Sequence, residues 1–144
     1  MRNLVKLMVL LSGIMVFSPV YSDDDILSVD KVSSAIVESA KSSLLGKKGK
    51  FPFKTADGTE ITNISYNSNN ILFEFKIPSD SQSILAQYLT EDLRIRFNKE
   101  FCHNENLINV LNHYDISFIF RFEYTDNRTV PAMLSMNEIC PEMN

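Results

Sequence analysis

An uninterrupted alternation near the C-terminus is the feature that most constrains the fold of this 144-residue chain. Every second position of residues 116–124 is apolar or aromatic: Ile116, Phe118, Phe120, Phe122 and Tyr124. Successive side chains of a β-strand point to opposite faces, so this pattern predicts a strand with one apolar face. Ser117, Ile119, Arg121 and Glu123 then lie on the other face, two of them charged, which indicates a solvated side.

Turn-forming residues predict two β-hairpins. In the first, strands 60–66 and 71–77 are joined by the polar residues 67–70; in the second, residues 125–128 join the aromatic strand to residues 129–136. Pro131 lies within this last strand and cannot donate a backbone hydrogen bond, which predicts that the strand lies at an edge of the sheet.

Helices are predicted before each hairpin. Residues 28–45 repeat apolar side chains at steps of three and four, with Ser28 as the N-cap and Gly46 as the stop. Ser79 and Gln82 fit a capping box for a second helix that ends at about Phe101. Its main apolar positions are Ile84, Leu85, Tyr88, Leu89, Ile95 and Phe101. A short helical turn, residues 104–111, follows.

These elements predict an α+β fold of order α-β-β-α-β-β, a small antiparallel sheet with helices on one face. The length allows one domain. A hydrophobic share of 44% with 22% charged residues is typical of a globular chain.

The N-terminus has the three parts of a secretory signal peptide. Basic residues at Arg2 and Lys6 precede a charge-free, largely apolar run, residues 7–17, and a cleavage site is expected after Ser22. The expected domain is then residues 23–144, with 12 basic and 18 acidic residues, a net charge of −6. We therefore expect a periplasmic or secreted protein. Because no cysteine precedes Cys102, we expect no lipid anchor.

Cys102 and Cys140 are the only cysteines, and export would bring both to an oxidising compartment. We therefore predict a disulfide between them, joining the end of the long helix to the end of the last strand. Closing a loop of this length contributes about 3–4 kcal/mol in the chain-entropy model. There is no C-x-x-C motif, so a redox-active pair is not favoured.

Several function classes find no support in the sequence. A net charge of −4 for the whole chain gives no reason to expect nucleic-acid binding. The chain has none of the common hydrolase, metalloprotease or phosphate-loop motifs. His103 and His113 have no evident ligand or catalytic partners, so both are interpreted as surface or capping residues. We expect a non-enzymatic protein with no cofactor and no metal.

The C-terminal half resembles the AspS-type pilotins of type II secretion systems. The matching features are, in order, Gln87-Tyr88, Phe101-Cys102, the apolar positions Leu107, Ile108, Val110 and Leu111, then Asp115-Ile116-Ser117-Phe118, Thr125-Asp126-Asn127 and Glu138-Ile139-Cys140. The resemblance covers roughly residues 51–140 and implies a small, disulfide-bonded periplasmic protein that binds a secretin subunit. Pilotins of this type carry a lipidated cysteine at the mature N-terminus, which this sequence lacks.

Two functions remain open from the sequence. In the first, the chain binds another protein of an envelope secretion or pilus machine, either in a groove between the long helix and the sheet or at the sheet edge near Pro131. Ile119, Arg121 and Met133 are the candidate contacts, because they point away from the predicted core. The alternative is an immunity or inhibitor protein whose acidic surface blocks a secreted hydrolase.

Overall fold

The computed structural model describes residues 27–46 and 49–143. The predicted signal peptide, residues 1–22, and the cleavage site after Ser22 lie outside the described residues. The elements are, in chain order, α1 (Val29–Leu45), β1 (Phe53–Lys54), β2 (Glu60–Asn67), β3 (Asn70–Lys76), α2 (Ala86–Phe101), α3 (Glu105–His113), β4 (Ser117–Glu123), β5 (Thr129–Ser135), α4 (Met136–Ile139) and a 3₁₀ turn (Pro141–Met143).

The five strands form one sheet in the order β1-β2-β3-β4-β5. Both predicted hairpins are confirmed, as β2–β3 and β4–β5, and β5 lies at the edge as Pro131 predicts. The predicted antiparallel sheet is wrong in one place, because β3 and β4 pair in parallel. The chain crosses through α2 and α3 between them and re-enters the sheet at the end where β3 began.

The predicted element order also needs correction. The structure has the order α-β-β-β-α-α-β-β through β5, because a two-residue strand, β1, pairs with β2 ahead of the first hairpin and α3 is a second helix before β4. Phe53 and Lys54 pair with Ile61 and Glu60. A strand this short produces no detectable alternation in the sequence, so periodicity could not reveal it.

Helix α1 begins and ends where its capping residues predict. The Ser28 side chain accepts a hydrogen bond from the Lys31 backbone N–H, and Gly46 ends the helix at a positive φ of 65°. The buried stripe consists of Val32, Ser33, Ile36, Val37, Ala40 and Leu44. Ser33 is fully buried and donates to the Ser68 carbonyl at 2.6 Å. This bond ties α1 to the turn between β2 and β3.

Helix α2 starts later than predicted, at Ala86, and the capping box from Ser79 to Gln82 is wrong. The Asp80 carboxylate instead accepts hydrogen bonds from the backbone N–H groups of Gln82 and Ser83, at 2.9 and 2.7 Å. These local side-chain bonds favour a turn over a helix.

The inner face of α2 agrees with the predicted one at Leu89 and Phe101 and differs from it at the other positions. Its buried residues recur every fourth position: Leu89, Leu93, Phe97 and Phe101. Tyr88 and Ile95 are 60% and 40% exposed. Tyr88 and Ile95 are two helical turns apart and therefore lie on one side of α2. That side is not the one formed by the buried residues.

The core consists of aromatic rings between the helices and one face of the sheet. Phe97 of α2 lies with its ring centre 5.0 Å from that of Phe118 and 5.7 Å from that of Phe120. On the sheet, the ring centres of Phe75 and Phe122 are 5.5 Å apart. Offset or tilted contacts at these distances are favourable. We call this side of the sheet the covered face.

The predicted disulfide is confirmed between Cys102, at the end of α2, and Cys140, which follows α4. The two Cα atoms are 5.6 Å apart, and both residues are buried. The Asn98 side-chain amide adds a hydrogen bond to the Ile139 carbonyl at 2.8 Å. The bridge therefore joins the long helix to α4, directly after the last strand.

Candidate binding face

The side of the sheet opposite the helices carries the residues predicted to contact a partner. We call it the open face and define it by the alternate residues Leu72, Glu74, Lys76, Ser117, Ile119, Arg121, Glu123 and Met133, which are half-buried or exposed. Their neighbours along β3 and β4 are buried, so the alternation that predicts one apolar face holds in both strands.

An apolar row crosses the open face. Leu72 of β3 is the register partner of Ile119 of β4, and Ile119 is the register partner of Met133 of β5. Neighbouring strands lie about 4.8 Å apart, so the row spans roughly 10 Å. Met133 is 57% exposed.

An ion pair flanks this row. The Arg121 guanidinium donates to the Glu74 carboxylate at 3.1 Å, with side chains that are 52% and 26% exposed. Glu74 and Arg121 are register partners on β3 and β4, each two residues further along its strand than Leu72 and Ile119. Lys76 and Glu123 are the next register pair, again one base and one acid.

The structure therefore brings together all three residues proposed as partner contacts. Ile119 and Met133 lie directly opposite each other, and Arg121 lies two residues further along the strand from Ile119. Sequence reasoning missed Leu72 and Glu74 as members of the same surface. The sequence of one strand can indicate which of its residues share a face, but only the parallel register of β3 and β4 places Leu72 and Glu74 beside Ile119 and Arg121.

The other two predicted docking places differ from the open face. Helix α2 and the sheet contact each other through aromatic rings, with Phe97 and Phe118 at 5.0 Å, so a partner would have to separate them. The edge strand β5 has an exposed Pro131 in the middle of its length. Because proline has no N–H, an added strand would lose one hydrogen bond there.

A small cleft of about 210 Å³ lies where β3 and β4 end. Its lining residues are Gly58, Glu60, Lys76, Ile77, Pro78, Tyr124 and Thr125. The Tyr124 hydroxyl is buried and has no hydrogen-bond partner within residues 27–46 and 49–143. Burial raises the pKa of Tyr124, and the negative charge of nearby Asp126 raises it further. This hydroxyl stays protonated at neutral pH.

The histidines lie apart from the open face. His103 and His113 are exposed, and the His113 ring packs edge-on against Tyr114 with ring centres 4.9 Å apart. Within the described part of the chain, no group of three or more His, Cys, Asp or Glu side chains could hold a metal ion. No helix among those same residues is both long and apolar enough to cross a membrane.

Comparison with known proteins bears on the fold alone. No protein-family model matches the chain, and no curated protein matches its sequence. The fold is similar to that of a putative secreted protein from Pseudomonas aeruginosa. The two align with a TM-score of 0.50 and 10% identity over 80% of this chain and 99% of that one.

Two pilotins of type II secretion systems are also similar in structure. EpsS of Vibrio vulnificus aligns with a TM-score of 0.49 and 9% identity, over 78% of this chain and 89% of that one. AspS of Vibrio cholerae aligns with a TM-score of 0.46 and 9% identity, over 76% and 91%.

Proposed function

We propose that this chain is a non-enzymatic, periplasmic accessory protein that binds a protein component of an envelope secretion machine through its open face. A secretin subunit is the proposed partner, and this choice depends on the sequence resemblance to pilotins. The single observation that carries the binding role is the apolar row Leu72–Ile119–Met133 beside the half-exposed Arg121.

The composition of this surface suits protein recognition. Met and Arg are enriched in protein–protein interfaces relative to the rest of a surface, and Arg is frequent among the residues that dominate binding energy. Arg121 keeps half of its side chain exposed while paired with Glu74, so it can donate to an acceptor on a partner without leaving its own carboxylate.

The surface is also held rigid. Leu72, Ile119 and Met133 lie on three hydrogen-bonded strands whose other face packs against a closed aromatic core. A partner therefore does not need to order a loop before it binds, which lowers the entropic cost of association.

Co-purification tests the proposal. The chain is expressed with its leader together with the secretin subunit encoded in the same genome, and each is purified through the other. We expect Ile119→Asp to abolish co-purification, because it places a charge in the middle of the apolar row.

Tyr88→Asp is the control outside the open face, since Tyr88 is an exposed aromatic residue on α2. Capture that survives Ile119→Asp, or that is lost equally in Tyr88→Asp, would count against the open face. Absence of any secretin capture, with protection of cells from one periplasmic hydrolase, would favour the immunity function instead.

A further inference from the structure

The charges of the open face are arranged so that the face is complementary to itself. On β3 the order is Leu72, Glu74, Lys76, and on β4 it is Ile119, Arg121, Glu123. The strands are parallel and in register, so each acid on one strand lies opposite a base on the other. In the first charged pair the acid, Glu74, is on β3. In the second pair the acid, Glu123, is on β4.

This arrangement is compatible with a two-fold axis between two facing copies. The axis runs parallel to the strands and lies over the line midway between β3 and β4. It places β3 of one copy over β4 of a second copy and leaves each residue at the same height along the strands. Leu72 then faces Ile119 of the second copy, Glu74 faces its Arg121, and Lys76 faces its Glu123. Each contact occurs twice, as in any isologous interface.

From this complementarity we infer that the open face binds a second copy of this chain, sheet against sheet. Facing sheets pack about 10 Å apart with their strands within about 30° of each other. When such a rotation is centred at the height of Glu74 and Arg121, it displaces these facing residues by about 1 Å and the facing residues two positions along the strands by about 4 Å. The contact between Glu74 and Arg121 is therefore kept at the normal packing angle, and the contacts at the two ends become longer.

The contacts that β2 and β5 would make across the two copies are compatible with this dimer. The same axis places β2 over β5 of the second copy, with Ser65 facing Met133 and Glu60 facing Thr129. No two like charges face each other along these four strands within the described register pairs. Like charges placed opposite each other are the usual means by which a surface prevents association.

The size of the face indicates weak association. Four strands of about seven residues present a flat area of roughly 450 Å², well below the roughly 800 Å² per partner of a standard stable interface. Dimers should therefore form only at high concentration. If the proposed function holds, the dimer covers Ile119, Arg121 and Met133 and competes with partner capture.

Analytical ultracentrifugation of the chain purified after export, from about 10 μM to about 1 mM, measures the dimer directly. Arg121→Glu and Glu74→Arg should each weaken self-association at least about tenfold, because each creates two like-charge contacts. An equimolar mixture of the two variants should recover the dimer, since each contact between positions 74 and 121 across the mixed interface then joins a glutamate to an arginine.

The mixture separates an interface from a structural role. Both variants also break the ion pair within each chain, and mixing cannot repair that loss. Arg94→Glu is the matched control, because Arg94 forms a similar exposed ion pair with Glu91 on α2, at 2.6 Å. Unfolding midpoints of all variants, measured by circular dichroism, establish that the compared chains are folded.

A wild-type chain that stays monomeric at 1 mM would overturn the inference. So would an Arg94→Glu effect equal to that of Arg121→Glu, or a mixture that remains monomeric. Secretin co-purification is a separate measurement: its loss with an intact dimer contradicts the proposed function alone, and a monomer that captures secretin contradicts the dimer alone.

Discussion

The two faces of the sheet are formed by the same strands but differ in burial and in the packing of their side chains. On the covered face, Phe118, Phe120 and Phe122 are buried and packed against rings of β3 and α2. On the open face, Ile119 is half-buried and Arg121 is half-exposed. One alternating strand therefore serves two purposes: one set of side chains stabilises the fold, and the other remains available for contact.

The largest expected effect is on the covered face. Phe120→Ala should lower the free energy of unfolding by about 3–5 kcal/mol, because it removes a fully buried ring that contacts Phe73, Phe75 and Phe97. Ile119→Ala, one residue away, should cost clearly less. Urea denaturation measures both, and equal losses would remove the distinction between the faces.

The disulfide also stabilises the folded chain. Replacing Cys102 and Cys140 together by serine should lower the free energy of unfolding by about 3–4 kcal/mol, because the bridge restricts the unfolded chain. Chemical denaturation of the double variant tests this. The wild-type chain under reducing conditions should match the variant; a variant as stable as the oxidised chain would contradict the predicted contribution.

Tyr124 differs from the other buried side chains of the described residues, because its buried hydroxyl has no hydrogen-bond partner among those residues. Tyr124→Phe should therefore leave the free energy of unfolding unchanged or raise it by up to about 1 kcal/mol. Thermal unfolding measures the change. A clear loss of stability would show that the hydroxyl is hydrogen-bonded in solution, for example to water in the adjacent cleft.

The smallest effect concerns two exposed carboxylates outside both faces. Hydrogen bonds from Ser83 and Gln82 lower the pKa of Asp80, and those from Ser81 lower the pKa of Asp126. Because each folded pKa lies below the unfolded value, this stabilisation is present above the unfolded value and is lost as pH falls through the folded one. Asp80→Asn should therefore reduce the loss of stability below about pH 4. An acid titration followed by circular dichroism checks it, and an identical profile would contradict it.

Local patterns in the sequence predicted both hairpins, the caps of α1, the disulfide and the edge position of β5. Alternation along a strand depends only on which face is buried, so it could not give the direction of the neighbouring strand. The parallel pairing of β3 and β4 was therefore missed. The start of α2 was missed because Asp80 forms a turn where a capping box was also possible.

The same limit applies to the candidate site. Ile119, Arg121 and Met133 could be placed on the outer face from periodicity alone. Leu72 and Glu74 belong to the same surface through the register of β3 and β4, which links residues 47 positions apart. Such a long-range relation has no local signal in one sequence.

The most direct test of the account measures binding and stability on one variant. Met133→Asp changes an exposed residue of the apolar row. We expect this variant to lose secretin co-purification while its unfolding midpoint stays within a few degrees of the wild type. Full capture by a folded Met133→Asp chain would contradict the central claim that the open face is the binding surface.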